Sequence, residues 1–240
     1  MYAVLANINN IENRKVILTD SFQPNVNQVL DTVDASSKIL FLCSPNNPTG
    51  NSFTTQAVEE LLNKFKGLVV IDEAYIDFSE QGSWLERLKE FPNLIITQTL
   101  SKAYGLAGIR LGVCYASSAI ITVLNKIKPP YNVNELTQQK AVERLLMVDE
   151  VQSEIIKIKE ERTNLISNLK AVSFINKIYP TDCNFVLVKV DDATKRYNQL
   201  INKGIVVRNR TKQPLCENCL RFTIGTRLEN ERILKALKEI

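Results

Sequence analysis

Leu68-Val69-Val70-Ile71-Asp72-Glu73-Ala74-Tyr75 is a short apolar run closed by a carboxylate. A run this uniformly apolar suits a strand buried on both faces of a parallel or mixed sheet, because a half-exposed strand would alternate with polar residues. Residues 38–43 (KILFLC) upstream have the same character, as do residues 94–97 (LIIT) and 109–115 (IRLGVCY) downstream. Helical candidates at 55–65 and 83–90 lie between these runs. Two more, at about 117–127 and 135–147, follow them on either side of Pro129-Pro130. This alternation predicts an α/β layered domain.

A long helix is expected next, from about 150 to 170, with Val151, Ile155, Ile158, Leu165 and Leu169 on one stripe facing a core. Beyond it the pattern reads strand (174–178), strand (184–190), helix (192–203), strand (205–208), loop, strand (220–224) and helix (227–239). The expectation is a large domain over residues 1–150 and a small α+β domain over 151–240, joined through the long helix. No internal repeat or low-complexity stretch interrupts this order.

Composition narrows the chemistry. Of 240 residues, 45% are hydrophobic and 23% charged, which suits a globular chain. The net charge of +4, from 30 basic and 26 acidic residues spread along the chain, leaves no electrostatic footprint for nucleic acid or an acidic membrane surface. No apolar run is long enough to cross a bilayer, and MYAVLANINN has no basic n-region of a secretory signal. Five cysteines at uneven spacing argue against a disulfide framework, so a reduced, cytoplasmic protein is expected. Histidine is absent, which removes Ser-His-Asp and Cys-His systems and His-ligated metals. Cys216 and Cys219 form a lone CxxC, too few ligands for a zinc site, and no metal is expected.

Three signals follow consecutive apolar runs: Ser44-Pro45-Asn46-Asn47-Pro48-Thr49-Gly50; Ile71-Asp72-Glu73-Ala74-Tyr75; and Thr99-Leu100-Ser101-Lys102, with Arg110 eight residues on. Ligands of open α/β sheets bind outside the carboxyl ends of the strands, so these loops should converge on one crevice. A lysine there is a candidate Schiff-base nucleophile. A pyridoxal-phosphate cofactor would need a carboxylate against its pyridine nitrogen, and Asp72 suits that job. Thr99, Ser101 and Arg110 offer donors for a phosphate dianion, and Asn47 and Tyr75 offer hydrogen bonds to a ring oxygen. Each piece also has an ordinary structural explanation: tight turns for SPNNPTG, a helix N-cap for Asp72, a solvated loop residue for Lys102 and a surface ion pair for Arg110.

Taken in order, SPNNPTG, IDEAY and TLSKAYGLAGIRLG resemble the fold-type I, class I/II aminotransferases. Val207-Arg208, Gln213-Pro214 and Cys219-Leu220-Arg221-Phe222-Thr223-Ile224-Gly225-Thr226-Arg227 are similar to the histidinol-phosphate branch of that family. The resemblance implies the pyridoxal-phosphate-dependent transferase fold: a large three-layer α/β domain, incomplete at its N-terminus, and a small α+β domain. It implies pyridoxal 5′-phosphate as cofactor, with Lys102 as Schiff-base lysine and proton shuttle, Asp72 on the pyridinium nitrogen, and Asn47 and Tyr75 on the ring oxygen. Thr99, Ser101 and Arg110 would hold the phosphate. Arg221 and Arg208 would bind the anionic end of the substrate, and two guanidiniums suit a phosphate dianion better than one carboxylate. The implied partners are histidinol phosphate and glutamate or 2-oxoglutarate, with a homodimer for the full-length protein. Threonine-phosphate decarboxylation and aromatic transamination on the same scaffold are the alternative activities.

The resemblance also implies residues before Met1. Met1-Tyr2 is similar to the end of a Y-G-M-Y segment whose first tyrosine stacks on the cofactor ring. Further phosphate contacts, an N-terminal arm and a central strand would precede it. An inactive fragment lacking half of the cofactor pocket is therefore the other reading, with an exposed sheet edge as its mark.

Overall fold

The computed structural model describes residues 2–240, so the expectation for Met1 falls outside the described residues. The apolar runs form one mixed sheet of β1 (Ile39–Cys43), β2 (Leu68–Asp72), β3 (Leu94–Thr99) and β4 (Gly112–Ala116), in that spatial order. β1, β2 and β3 are parallel and β4 runs antiparallel to β3. Val69, Val70 and Ile71 are buried, as a strand covered on both faces requires. Ile39 and Phe41 of β1 and Val113 of β4 are exposed, against the expectation for those runs, because β1 and β4 are the edge strands of this sheet.

Helix α3 (Thr55–Lys64) starts where the Thr54 side chain accepts a hydrogen bond from Ala57 N, and it buries Val58, Leu61 and Leu62. These residues pack with Val69, Ile71, Leu94 and Ile96 into the core of the first sheet. Helices α1 (Tyr2–Ile8) and α2 (Val26–Thr32), each seven residues, were not expected. Seven residues are too few for the apolar period to show. After β4 come α4 (Ser118–Ile127) and α5 (Glu135–Leu146).

The long helix is α6 (Val148–Leu169), and its stripe serves two cores. Val151 and Ile155 pack with Tyr75, Phe78, Cys183 and Phe185, while Leu165 and Leu169 enter the core of a second sheet. That sheet contains β5 (Ile175–Ile178), β6 (Phe185–Val190), β7 (Arg208–Asn209) and β8 (Cys219–Thr223), ordered β5-β6-β8-β7 and antiparallel throughout. α7 (Ala193–Asn202) and α8 (Arg227–Lys238) cover it. A capping box between Thr226 and Glu229 opens α8.

Three further expectations need correction. The helix at 83–90 is only a 3-10 turn, Trp84–Arg87, because Glu73 takes the Trp84 N–H and Phe91-Pro92 ends the segment. The strand expected over 109–115 begins at Gly112, since Arg110 has a left-handed backbone (φ 56°). The strand at 205–208 shrinks to Arg208–Asn209; Ile205 and Val207 are buried in the second core outside the ladder.

The two sheets meet at the turn after β1. Asp182 N donates to Gly50 O at 2.7 Å, and Ser52 N donates to Asp182 Oδ2 at 3.0 Å. Arg162 Nη1, on α6, donates to both Phe78 O (3.0 Å) and Cys183 O (3.1 Å). Gly50 has φ +90°, and a Cβ there would stand 2.5 Å from Thr181 Oγ1, so the close approach requires glycine.

Candidate active site

Parallel register sets the ends of three strands side by side. Cys43 pairs with Asp72, and Asp72 with Thr97, so β1 and β2 end level and β3 runs two residues further, to Thr99. The turn carrying Asn47, the segment Asp72–Tyr75 and the segment Thr99–Lys102 therefore share one end of the sheet.

Asp72 is half-buried, and its two oxygens are divided. Oδ1 accepts from Ala74 N at 3.1 Å, and Oδ2 accepts from Tyr2 Oη at 2.5 Å. The Tyr2 ring stacks on Phe41 of β1, with centroids 4.6 Å apart and planes at 18°. Burial, then the neighbouring Cys43 and Asp72, push the Tyr2 phenol well above its ordinary range.

Tyr75 is buried edge-on against Phe185, centroids 5.2 Å apart at 88°. Burial raises its phenol, and the charge of Arg221 opposes that rise. Lys102 Nζ stands 5.2 Å from the centre of the Tyr75 ring. Arg221 closes the group from the second sheet: its Nη1 donates to Asn47 Oδ1 at 2.6 Å, and its Cζ lies 4.6 Å over Phe185. Across the ladder, the Cα partner of Arg221 is Arg208. Burial, followed by the charge of Arg210, lowers the Arg221 guanidinium from its ordinary value.

The Thr99 and Ser101 hydroxyls are joined at 2.9 Å, and Ser101 N donates to Thr99 Oγ1 at 3.1 Å. Arg110 does not join them by a hydrogen bond. It is exposed, and its Nη1 donates to Ala107 O at 3.0 Å. So Asn47, Asp72, Tyr75, Lys102 and Arg221 come together, Thr99 and Ser101 form a pair on the adjoining loop, and Arg110 points its donor elsewhere.

Several neighbours escaped sequence reasoning. Phe185 sits far from the motifs in sequence and carries no motif of its own, and Tyr2, at the end of the segment similar to Y-G-M-Y, gave no sign of its hydrogen bond to Asp72. Glu73 follows Asp72, yet is buried and accepts from Ser83 Oγ (2.6 Å), Trp84 N (2.7 Å) and Gln98 Nε2 (2.9 Å). Burial lifts its carboxyl despite these donors. Strand alternation was the available signal, since successive residues face opposite ways. Gln213 and Pro214 line a cavity of about 150 Å³ with Asn46, Pro48 and Phe22, behind the Asn47 turn rather than over Lys102.

The sequence matches the profile of the family described as aminotransferase class I and II over residues 1–237. It is 68% identical over 238 residues to a histidinol-phosphate aminotransferase of Flavobacterium johnsoniae, covering 99% of this chain and 68% of that one. A histidinol-phosphate aminotransferase of Bacteroides thetaiotaomicron is 52% identical over 239 residues, covering 100% of this chain and 69% of its own. Among solved structures, the histidinol-phosphate aminotransferase from Clostridium acetobutylicum superposes with a TM-score of 0.92 at 24% identity, covering 99% of this chain and 74% of that chain. The Sinorhizobium meliloti enzyme in complex with pyridoxal-5′-phosphate gives 0.88 at 24% identity, over 99% and 66%. These two likenesses concern the fold.

Proposed function

The chain belongs to the class I and II aminotransferases, and from that premise we propose that it transaminates histidinol phosphate with 2-oxoglutarate, giving imidazole-acetol phosphate and glutamate, a step of histidine biosynthesis. The observation that carries the substrate is the hydrogen bond from Arg221 to Asn47. It joins an arginine pair on one sheet to the lysine and carboxylate at the strand ends of the other.

The donor set fits pyridoxal phosphate. Lys102 has no ion pair or side-chain hydrogen bond among the described residues, and its amine lies beside Tyr75. Asp72 retains acceptor capacity on both oxygens, since a carboxylate has about four lone-pair sites and two are used. The cofactor, when bound, supplies an electron sink for carbanion chemistry at the amino-bearing carbon.

The chain's own groups have distinct tasks. Lys102 Nζ would be the nucleophile and then the base and acid that moves the proton. Asp72 would hold a positive ring nitrogen by charge. Asn47 and Tyr75 would hydrogen-bond the ring oxygen, and Thr99, Ser101 and Arg110 would hold the cofactor phosphate, Arg110 after turning from Ala107 O. Arg208 and Arg221 bind the substrate's anionic end, and reuse their charge for a carboxylate of the second substrate. Residues 1–150 are the cofactor-binding domain and residues 151–240 the small domain. The protein works in the cytoplasm, as a homodimer.

Incubation with pyridoxal phosphate, borohydride reduction and peptide mapping should place a pyridoxyl label on Lys102. Retention of that label by Lys102→Ala would refute the assignment. Product analysis decides the reaction: glutamate formed from 2-oxoglutarate at the expense of histidinol phosphate supports it, and carbon dioxide from threonine phosphate would replace it with decarboxylation.

A further inference from the structure

Arg210 lies two residues beyond Arg208, and residues two apart in an extended chain face the same side. Its N–H donates to Cys219 O at 2.8 Å, continuing the ladder past β7. Arg208 is opposite Arg221, so all three guanidiniums arise on one face of the second sheet. Among the described residues, none of the three has a carboxylate within ion-pair distance. Arg210 Nε and Arg221 Nε are buried without a hydrogen-bond partner, and so is Thr211 Oγ1 on the next residue. Buried orphan donors are rare, and orphans clustered beside unpaired charges mark a place where an anion completes the structure. The charge of Arg210 also depresses the Arg221 guanidinium more than that of Arg208, which agrees with its proximity.

We propose that Arg210 is a third guanidinium of the substrate-anion site and sets its preference for a phosphate dianion over a carboxylate. This rests on the reading of Arg208 and Arg221 above. A phosphate monoester at neutral pH carries about −1.5 to −2 charge on three acceptor oxygens. A carboxylate carries one charge on two oxygens, which two arginines already satisfy. The third arginine therefore adds to phosphate binding and little to 2-oxoglutarate binding.

The test is calorimetric titration of the protein, loaded with pyridoxal phosphate and reduced with borohydride so that the cofactor's own phosphate fills its site. Inorganic phosphate and 2-oxoglutarate are the probes. Arg210→Gln keeps polar donors and removes the charge. The Kd for phosphate should rise about tenfold or more, as expected on losing a charged hydrogen-bond donor, and that for 2-oxoglutarate by less than about threefold. Arg210→Lys should recover part of the loss. Equal weakening of both probes, or an unchanged phosphate Kd, overturns the proposal. Arg221→Ala separates the two levels. If it abolishes phosphate binding while Arg210→Gln does not, the anion site stands and the role of Arg210 falls. If neither variant matters, both readings fall.

Discussion

Arg208 and Arg221 are direct cross-strand partners on β7 and β8, two like charges where sheets ordinarily place opposite ones. Like charges directly opposite destabilise a sheet, so the pair is costly until an anion lies between them. The same residues should therefore move stability and binding in opposite directions.

Arg208→Ala should stabilise the ligand-free chain by a few tenths to about 1 kcal/mol in urea unfolding, as removal of a like cross-strand charge allows. It should also weaken substrate binding. Arg221→Ala should weaken binding more, by about a hundredfold, because Asn47 then loses its 2.6 Å donor as well. Parallel measurements of unfolding and of Kd or KM check both signs.

Gly50→Ala should destabilise by about 1–3 kcal/mol, the cost of a side chain in a strained backbone conformation. The new Cβ would also meet Thr181 Oγ1 and Cβ, at 2.5 and 2.9 Å. The damage falls on the joint between the Asn47 turn and the second sheet, so binding of the substrate anion should weaken alongside the loss of stability. Denaturant melts with phosphate titration of the variant test this.

Glu73→Gln should cost about 1–3 kcal/mol near neutral pH, because one amide oxygen replaces two acceptors that receive three donors. Burial raises the Glu73 carboxyl, so its folded pKa lies above its unfolded one. That contribution is fully present below the unfolded value and lost as pH rises through the folded one. The stability gap between wild type and variant should accordingly widen as pH is lowered toward 4.

Asp191 shows the opposite sign. Bonding to Arg196, chiefly a 2.6 Å contact with Nη2, lowers its carboxyl to about 2. The pair's stabilisation is present above the ordinary carboxyl value and disappears as pH falls from about 4 toward 2. Asp191→Asn should remove that part of the acid dependence. The loss at pH 7 should stay below about 1 kcal/mol, since Asp191 is largely solvated. Arg196 also sits 4.0 Å over Phe174, a contact that does not involve Asp191.

Much of the site was legible because it is local. A strand and the polar group at its end are consecutive in sequence, so Asp72 after LVVI and Lys102 after LIITQTLS could be placed without coordinates. Glu73 was passed over because its partners Ser83 and Gln98 come from separate segments that only packing brings together. The short strand β7 was overextended because Ile205 and Val207 are apolar for the core, whatever their backbone pairing.

By itself the sequence determined the mixed α/β order, the family, and which side chains stand at the strand ends, since period and motif are properties of neighbouring residues. Only the tertiary structure decided that Arg208 faces Arg221, that Arg221 reaches Asn47 across 174 positions, that Tyr2 covers Asp72, and that Arg110 turns to Ala107. Those relations depend on how two sheets dock through Gly50, Asp182 and α6, and on burial competing with charge. Neither can be read along a single segment.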